Sequence, residues 1–139
     1  MRQFLRFAAI GCIGFAIDAG ALVALMEVAS LNPFAARFVS FPLAVLGTWA
    51  LNRRFVFASS AASPGDAARE YGRYFGVQTI GAATNMLVYV IAILSLPALS
   101  SHPVAALALG ALAGLVVNFV GAKSLVFRGQ RISTERQDL

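Results

Sequence analysis

A run from Phe7 to Met26, FAAIGCIGFAIDAGALVALM, carries a single charged residue, Asp18. A helix rises about 1.5 Å per residue, so about 20 residues match a hydrocarbon core about 30 Å thick and put the carboxylate near its midplane. An acidic side chain at a helix centre costs about 2.5 to 3.5 kcal/mol on insertion, which the surrounding Leu, Ile, Val and Phe offset for the helix as a whole. A buried helix of a water-soluble protein could hold the same run, and composition decides between the two. Of 139 residues, 59% are hydrophobic and 12% are charged, against about 25% charged in soluble domains. A soluble chain of this size would lack the polar residues to cover its surface. Three more long apolar segments follow, at about 34–52, 74–96 and 103–122. The expected fold is therefore all-α, a polytopic membrane protein with four transmembrane helices, the first at about 7–27. The second is the most polar, because Arg37 leaves only Phe38 to Leu51 uncharged. It spans if Arg37 lies at the interface and snorkels outward; a re-entrant or peripheral segment is the alternative.

The net charge of +5 is distributed in a way that excludes nucleic acid as the partner. Arg2 and Arg6 precede the first helix, Arg53, Arg54, Arg69 and Arg73 lie between the second and third, and Lys123, Arg128, Arg131 and Arg136 follow the fourth. With four crossings these regions share one face, and of the eleven Lys and Arg residues only Arg37 falls on the other. The bias of basic residues toward the cytoplasm then makes both termini cytoplasmic and argues against dual-topology insertion. Such a rim is also drawn to anionic lipid headgroups. The single cysteine, Cys12, permits no intramolecular disulfide and no Cys-rich metal site. No small-residue cleavage site sets off a signal peptide, so the first helix is expected to serve as its own targeting signal. The expected organisation is one membrane domain, 1–128, and a polar cytoplasmic tail, 129–139. Ala58 to Asp66, rich in Ser and Ala with a Pro-Gly step, reads as a linker, and His102 reads as a solvated loop residue.

An internal repeat underlies this organisation. Arg6-Phe7 matches Arg73-Tyr74, Phe4 matches Tyr71, Gly14 matches Gly81 and Asp18 matches Asn85, all at an offset of 67. Pro33 matches Pro103, Trp49 matches Phe119, Arg53 matches Lys123 and Val56-Phe57 matches Val126-Phe127, all at 70. Repeat one covers 3–57 and repeat two 70–127. Each holds an even number of crossings, so the halves are expected to be parallel in orientation, related by an axis along the membrane normal.

Soluble-type catalysis has no basis here: there is no phosphate loop, no His pair for zinc and no Ser, His and acid set, so no enzyme activity, metal or cofactor is expected. Asp18 and Asn85 stand out instead. On facing helices at similar depth they would share a hydrogen bond or line one polar cavity, where a carboxylate can carry a proton or accept sugar hydroxyls. The same pair could serve only as an interhelical hydrogen bond worth about 1 kcal/mol. Gly11 and Gly14 precede Asp18 on a small-residue ridge that lets a neighbouring helix approach. A second constellation, Asn52-Arg53-Arg54 with Asn118 and Lys123, is joined at the same interface by Arg6 and Arg73. Arg offers a phosphate forked hydrogen bonds and Lys a point charge, although topology determination and nonspecific lipid contact need the same residues.

Phe4-Leu5-Arg6-Phe7, Gly14 with Asp18, Asn52-Arg53-Arg54-Phe55-Val56-Phe57 and Asn118-Phe119-Val120-Gly121-Ala122-Lys123-Ser124-Leu125-Val126-Phe127 together resemble the GtrA family of small four-helix membrane proteins, over residues 3 to 128. The chain departs from that pattern in having Thr48-Trp49 where Asn-Phe is favoured and Phe55 where Trp is frequent. The resemblance implies translocation of a polyprenyl-phosphate-linked sugar, such as one on undecaprenyl phosphate, across the bacterial cytoplasmic membrane for cell-surface polysaccharide or glycolipid synthesis. It implies sugar contacts from Asp18, Asn85, Thr84 and Gln78, and lipid-phosphate contacts from Arg53, Lys123, Asn52, Asn118, Arg6 and Arg73. A membrane glycosyltransferase is the expected partner, and four helices enclose so little volume that a homodimer is expected. Two rival readings differ in class: a nonenzymatic anchor that recruits a glycosyltransferase, and a small proton-coupled drug exporter. The strong charge bias weighs against the exporter.

Overall fold

The computed structural model describes residues 1–57, 59, 61–100 and 103–127. Among these residues five helices follow one another: α1 (Arg2–Glu27), α2 (Pro33–Phe55), α3 (Pro64–Ser95), the short α4 (Pro97–Ser100) and α5 (Pro103–Gly121), the last running into a π-helical segment, Ala122–Val126. The fold is an all-α, membrane-spanning bundle in which α1 packs along α2 and α3 along α5, the two hairpins meeting where α2 touches α3 and α1 touches α5.

The helix starts are written locally. The Asn32 side chain accepts the Ala35 N–H at 2.9 Å and Pro33 occupies the first helical position, where its missing N–H costs nothing. Ser63 accepts the Asp66 N–H at 3.1 Å and donates its own hydroxyl to the Asp66 carboxylate at 2.7 Å. That reciprocal cap, followed by Pro64, starts α3 ten residues before the expected 74. The Pro-Gly step is thus the first turn of a helix rather than part of a linker, and Ser63 with Asp66 makes the difference. His102 and the tail from 128 onward lie outside the described residues.

Between α1 and α2, Ser30 adopts φ 52° and the Leu31 N–H returns to the Leu25 carbonyl at 3.2 Å. The left-handed region costs a residue with a Cβ about 1 to 2 kcal/mol and glycine nothing. Ser30→Gly is therefore expected to raise the thermal midpoint in detergent, by the equivalent of about 1 kcal/mol. An unchanged or lower midpoint would remove this account of the turn.

Among the described residues, three helices are long and apolar enough to cross a membrane: α1, α3 and the span Ala105–Val126. α2, expected as a fourth, is not among them; it carries Arg37, Ser40, Thr48, Asn52, Arg53 and Arg54. Its 23 residues are nonetheless about 34 Å long. The outward surface is apolar, with Phe15, Phe38, Met86, Leu94 and Leu112 exposed, a surface suited to hydrocarbon rather than water.

The core lies at the end of the bundle where α1 and α3 begin and α2 and α5 finish. Phe7, Val45, Phe57, Tyr74, Val77, Ala122, Val126 and Phe127 are buried there. Phe57 stacks on Phe127 with ring centroids 4.6 Å apart and planes 9° from parallel. Phe7 meets Phe57 edge-on at 6.0 Å and Tyr74 meets Phe127 edge-on at 6.2 Å. Phe4 meets Phe119 at 5.2 Å and Tyr71 meets Trp49 at 5.6 Å. Small residues set the helix spacing in each hairpin: Gly14 lies against Thr48, and Gly81 against Asn118. Gly11, expected on the same ridge as Gly14, is exposed with no neighbour near its missing Cβ.

Candidate functional site

A cavity of about 220 Å³ runs between the two hairpins, above the aromatic cluster. On α2 its wall is Arg37, Phe41, Ala44, Val45, Thr48 and Asn52, a spacing of three, four and seven residues that keeps them on one helical face. From Arg37 to Asn52 this face extends about 22 Å along the helix axis. α1 contributes Phe7, Gly11, Gly14, Phe15 and Asp18, α3 contributes Tyr74 and Gln78, and α5 contributes Leu115 and Asn118. A polar track thus lies inside a bundle whose exterior is hydrocarbon-like.

At the end nearer the α1–α2 turn, Asp18 forms an ion pair with Arg37 through Oδ2 and accepts the Ser40 hydroxyl at 2.7 Å through Oδ1. Ser40 is fully buried. A carboxylate within a bilayer is tolerated when it pairs with a cation and when its second oxygen is satisfied as well, and both conditions hold. The Asp18 side chain is 13% exposed and that of Arg37 54%, so the guanidinium is the open member of the pair.

At the aromatic end, Asn52 donates through Nδ2 to the Tyr74 hydroxyl at 2.8 Å. Thr48 and Gln78 also lie within reach of that hydroxyl. Thr48 itself shares its proton between the Ala44 and Val45 carbonyls, each at 3.0 Å. Asn52, 1% exposed, keeps Oδ1 without a partner, and so does Asn118. A buried acceptor left unpaired costs about 1 to 3 kcal/mol. Turning the amide over only exchanges which of its two polar atoms lacks a partner. Two such amides, a phenol and Gln78 make a chamber suited to hydroxyl groups.

The structure distributes the expected site residues unevenly. Asp18, Gln78, Asn52 and Asn118 share the cavity. Asn85 does not join Asp18: its side chain and backbone fill the space beside Gly110 and Gly114 of α5, while Asp18 finds its partners on α2. The expected Asp18–Asn85 contact is thus replaced by two contacts within separate hairpins. Thr84 donates to the Ile80 carbonyl at 2.9 Å and is not part of the cavity wall. Asn52 and Asn118 were expected beside Arg53 and Lys123, but Asn52 and Arg53, successive on a helix, point about 100° apart, and both amides line the cavity while Lys123 does not. Arg53 is engaged by the protein: it donates to the Ala61 carbonyl at 3.0 Å, lies 3.9 Å from the Glu70 carboxylate and covers the Trp49 ring at 5.3 Å. Glu70 in turn accepts from Trp49 Nε1 at 3.0 Å and from the Ser59 hydroxyl. Lys123 is exposed, with Nζ 5.8 Å from the Phe119 ring centroid, and Arg6 and Arg73 are exposed at the same end.

Arg37, Ser40, Thr48 and Tyr74 belong to the site and were not among the expected residues. A signal for the first two was present. In an antiparallel hairpin, residues equidistant from the turn lie level, and the midpoint of 18 and 40 is 29, within the α1–α2 turn. Among the described residues no group of His, Cys, Asp and Glu could hold a metal ion. Residues 6–127 match the family model described as "GtrA/DPMS, transmembrane domain". No curated protein matches the chain.

Proposed function

Since this chain belongs to the GtrA/DPMS family of transmembrane domains, we propose that it translocates a polyprenyl-phosphate-linked sugar across the bacterial cytoplasmic membrane, for assembly of cell-surface polysaccharide or glycolipid. It is a multi-pass, non-catalytic membrane protein, and the observation that carries the reading is a partly open cavity that gathers Asp18, Asn52, Gln78 and Asn118 within a bundle of apolar exterior. The sugar passes along Gln78, Asn52 and Asn118, and small rotations of the two asparagine amides, whose Oδ1 atoms are buried without a partner, turn them to the hydrogen bonds that sugar hydroxyls lose on leaving water. Arg6, Arg73 and Lys123 receive the phosphate at the cytoplasmic surface. The termini face the cytoplasm, and α2 is the fourth crossing, its polarity confined to the face that lines the cavity.

Paired contacts support two parallel-oriented repeats. Phe4–Phe119 corresponds to Tyr71–Trp49, Phe7–Phe57 to Tyr74–Phe127, Gly14–Thr48 to Gly81–Asn118, and Arg53 over Trp49 to Lys123 over Phe119. Phe57 and Phe127, themselves repeat mates, stack on each other as residues beside a twofold axis would.

Reconstitution into liposomes with a lipid-linked sugar and leaflet-specific labelling tests the proposal. Transfer between leaflets faster than in protein-free vesicles is expected; transfer at the protein-free rate would count against it. A recruiting anchor has no use for buried amides kept without partners. A cation exporter would need Asp18 available, and Arg37 neutralises it.

A further inference from the structure

A second hollow, of about 330 Å³, lies on the α2–α3 seam against Phe38, Phe41, Pro42, Phe75 and Thr79, and Arg37 stands where it meets the polar cavity. Phe41 divides the two spaces. Its ring meets Phe75 edge-on at 5.8 Å, and the Arg37 guanidinium lies 5.8 Å from its centroid. Thr79 gives its hydroxyl proton to the Phe75 carbonyl at 2.9 Å, so the groove's walls are hydrocarbon apart from the guanidinium at its end. One cation therefore borders a polar chamber on one side and an apolar groove on the other.

Resting on the transport reading above, we infer that this groove holds the hydrocarbon chain of the lipid-linked phosphate while Arg37 exchanges the Asp18 carboxylate for the phosphate. A guanidinium has five N–H donors in a fork that fits a phosphate, and Asp18 occupies only Nη1. The exposure of Arg37 leaves the others open to an incoming anion. Asp18 is not abandoned in the exchange, because Ser40 continues to donate to its other oxygen. The chemistry required of the ligand is a phosphate next to a hydrocarbon chain, which a prenyl phosphate and an anionic diacyl lipid share, and the test separates them.

The full-length protein in phosphatidylcholine vesicles is exposed to a prenyl phosphate bearing a photoreactive diazirine on its chain, and the labelled peptides are mapped. Label is expected on the α2 and α3 residues of the groove, competed by unlabelled polyprenyl phosphate but not by polyprenol or phosphatidylglycerol. Arg37→Gln is expected to lower labelling about tenfold, the loss of a charge-assisted hydrogen bond, Arg37→Lys to lower it less, and Asp18→Asn to raise it. Thr79→Trp leaves the ion pair intact and fills the groove, so it keeps the test decisive if Arg37→Gln does not fold. Label confined to α1 or α5, equal competition by phosphatidylglycerol, or undiminished labelling of folded Thr79→Trp would overturn the inference. Label in the groove without leaflet transfer would uphold this site and defeat the transport reading; transfer with label elsewhere would do the reverse.

Discussion

Leucine at Gly114 should leave no folded bundle to recover from membranes, whereas leucine at Gly11 should fold and slow transport. A Cβ at Gly114 would stand 2.7 Å from the Gly81 carbonyl oxygen and 3.0 Å from the Asn85 Cβ. The first obstacle is backbone, which no change of rotamer can move, so α3 and α5 would have to separate along their crossing. Overpacking an ordinary core costs about 1 to 3 kcal/mol, and this site should exceed the upper figure. Close approach of helix backbones at small residues is a main source of association within a bilayer, so the loss would extend through the hairpin. At Gly11 nothing lies within 4 Å of the missing Cβ, and the position borders the cavity. A leucine there occupies the passage without displacing a neighbour, and a steric cost of the same order on the moving substrate would slow transfer about tenfold or more. Chromatographic monodispersity and thermal midpoint in detergent, beside the leaflet assay, distinguish the two. A stable Gly114→Leu or an unfolded Gly11→Leu would contradict the packing described.

Asn52→Leu is expected to make the protein more stable and less active. The residue is buried with Oδ1 unpaired, and replacing an unsatisfied amide by an apolar side chain of similar size removes a penalty of about 1 to 3 kcal/mol. The Tyr74 hydroxyl loses one partner but keeps Thr48 and Gln78 within reach. If the amide is there to meet substrate hydroxyls, its removal should slow transfer by about tenfold to a hundredfold. A residue with a purely structural role would show neither a rise in midpoint nor a specific loss of transport. A lower midpoint with transfer unchanged would contradict the assignment.

Much of the bundle was legible in the sequence because hydrophobic length is a strong signal: Phe7 to Met26 lies within α1, and the segment near 103–122 within α5 and its π-helical extension. The start of α3 was missed because Pro and Gly were weighed as turn residues, although Ser63-Pro64-Gly65-Asp66 also satisfies the requirements of a capped first turn. The site was legible in part. Asp18, Gln78, Asn52 and Asn118 are polar residues in apolar surroundings and could be found as such. Which of them meet depends on hairpin geometry, and pairing Asp18 with Asn85 by repeat offset overlooked the residues level with Asp18 across its own turn. The repeat offset relates equivalent positions, not contacting ones: Asp18 sits beside Ser40, and Asn85 beside Gly110, which is the repeat mate of Ser40 at offset 70. Arg37 was read as an interfacial arginine that snorkels, and its pairing with the carboxylate of Asp18 was not foreseen.

The account depends on the interior of the bundle being a wet, polar passage rather than solid packing. A cysteine reacts with a hydrophilic thiol reagent only as the thiolate, which requires water at the site. In a Cys12→Ser background, Gln78→Cys on the cavity wall and Leu112→Cys on the lipid-facing surface provide the comparison. Rapid modification of Gln78→Cys, slowed by a lipid-linked sugar, with Leu112→Cys inert, is the predicted result; Gln78→Cys as unreactive as Leu112→Cys would contradict it.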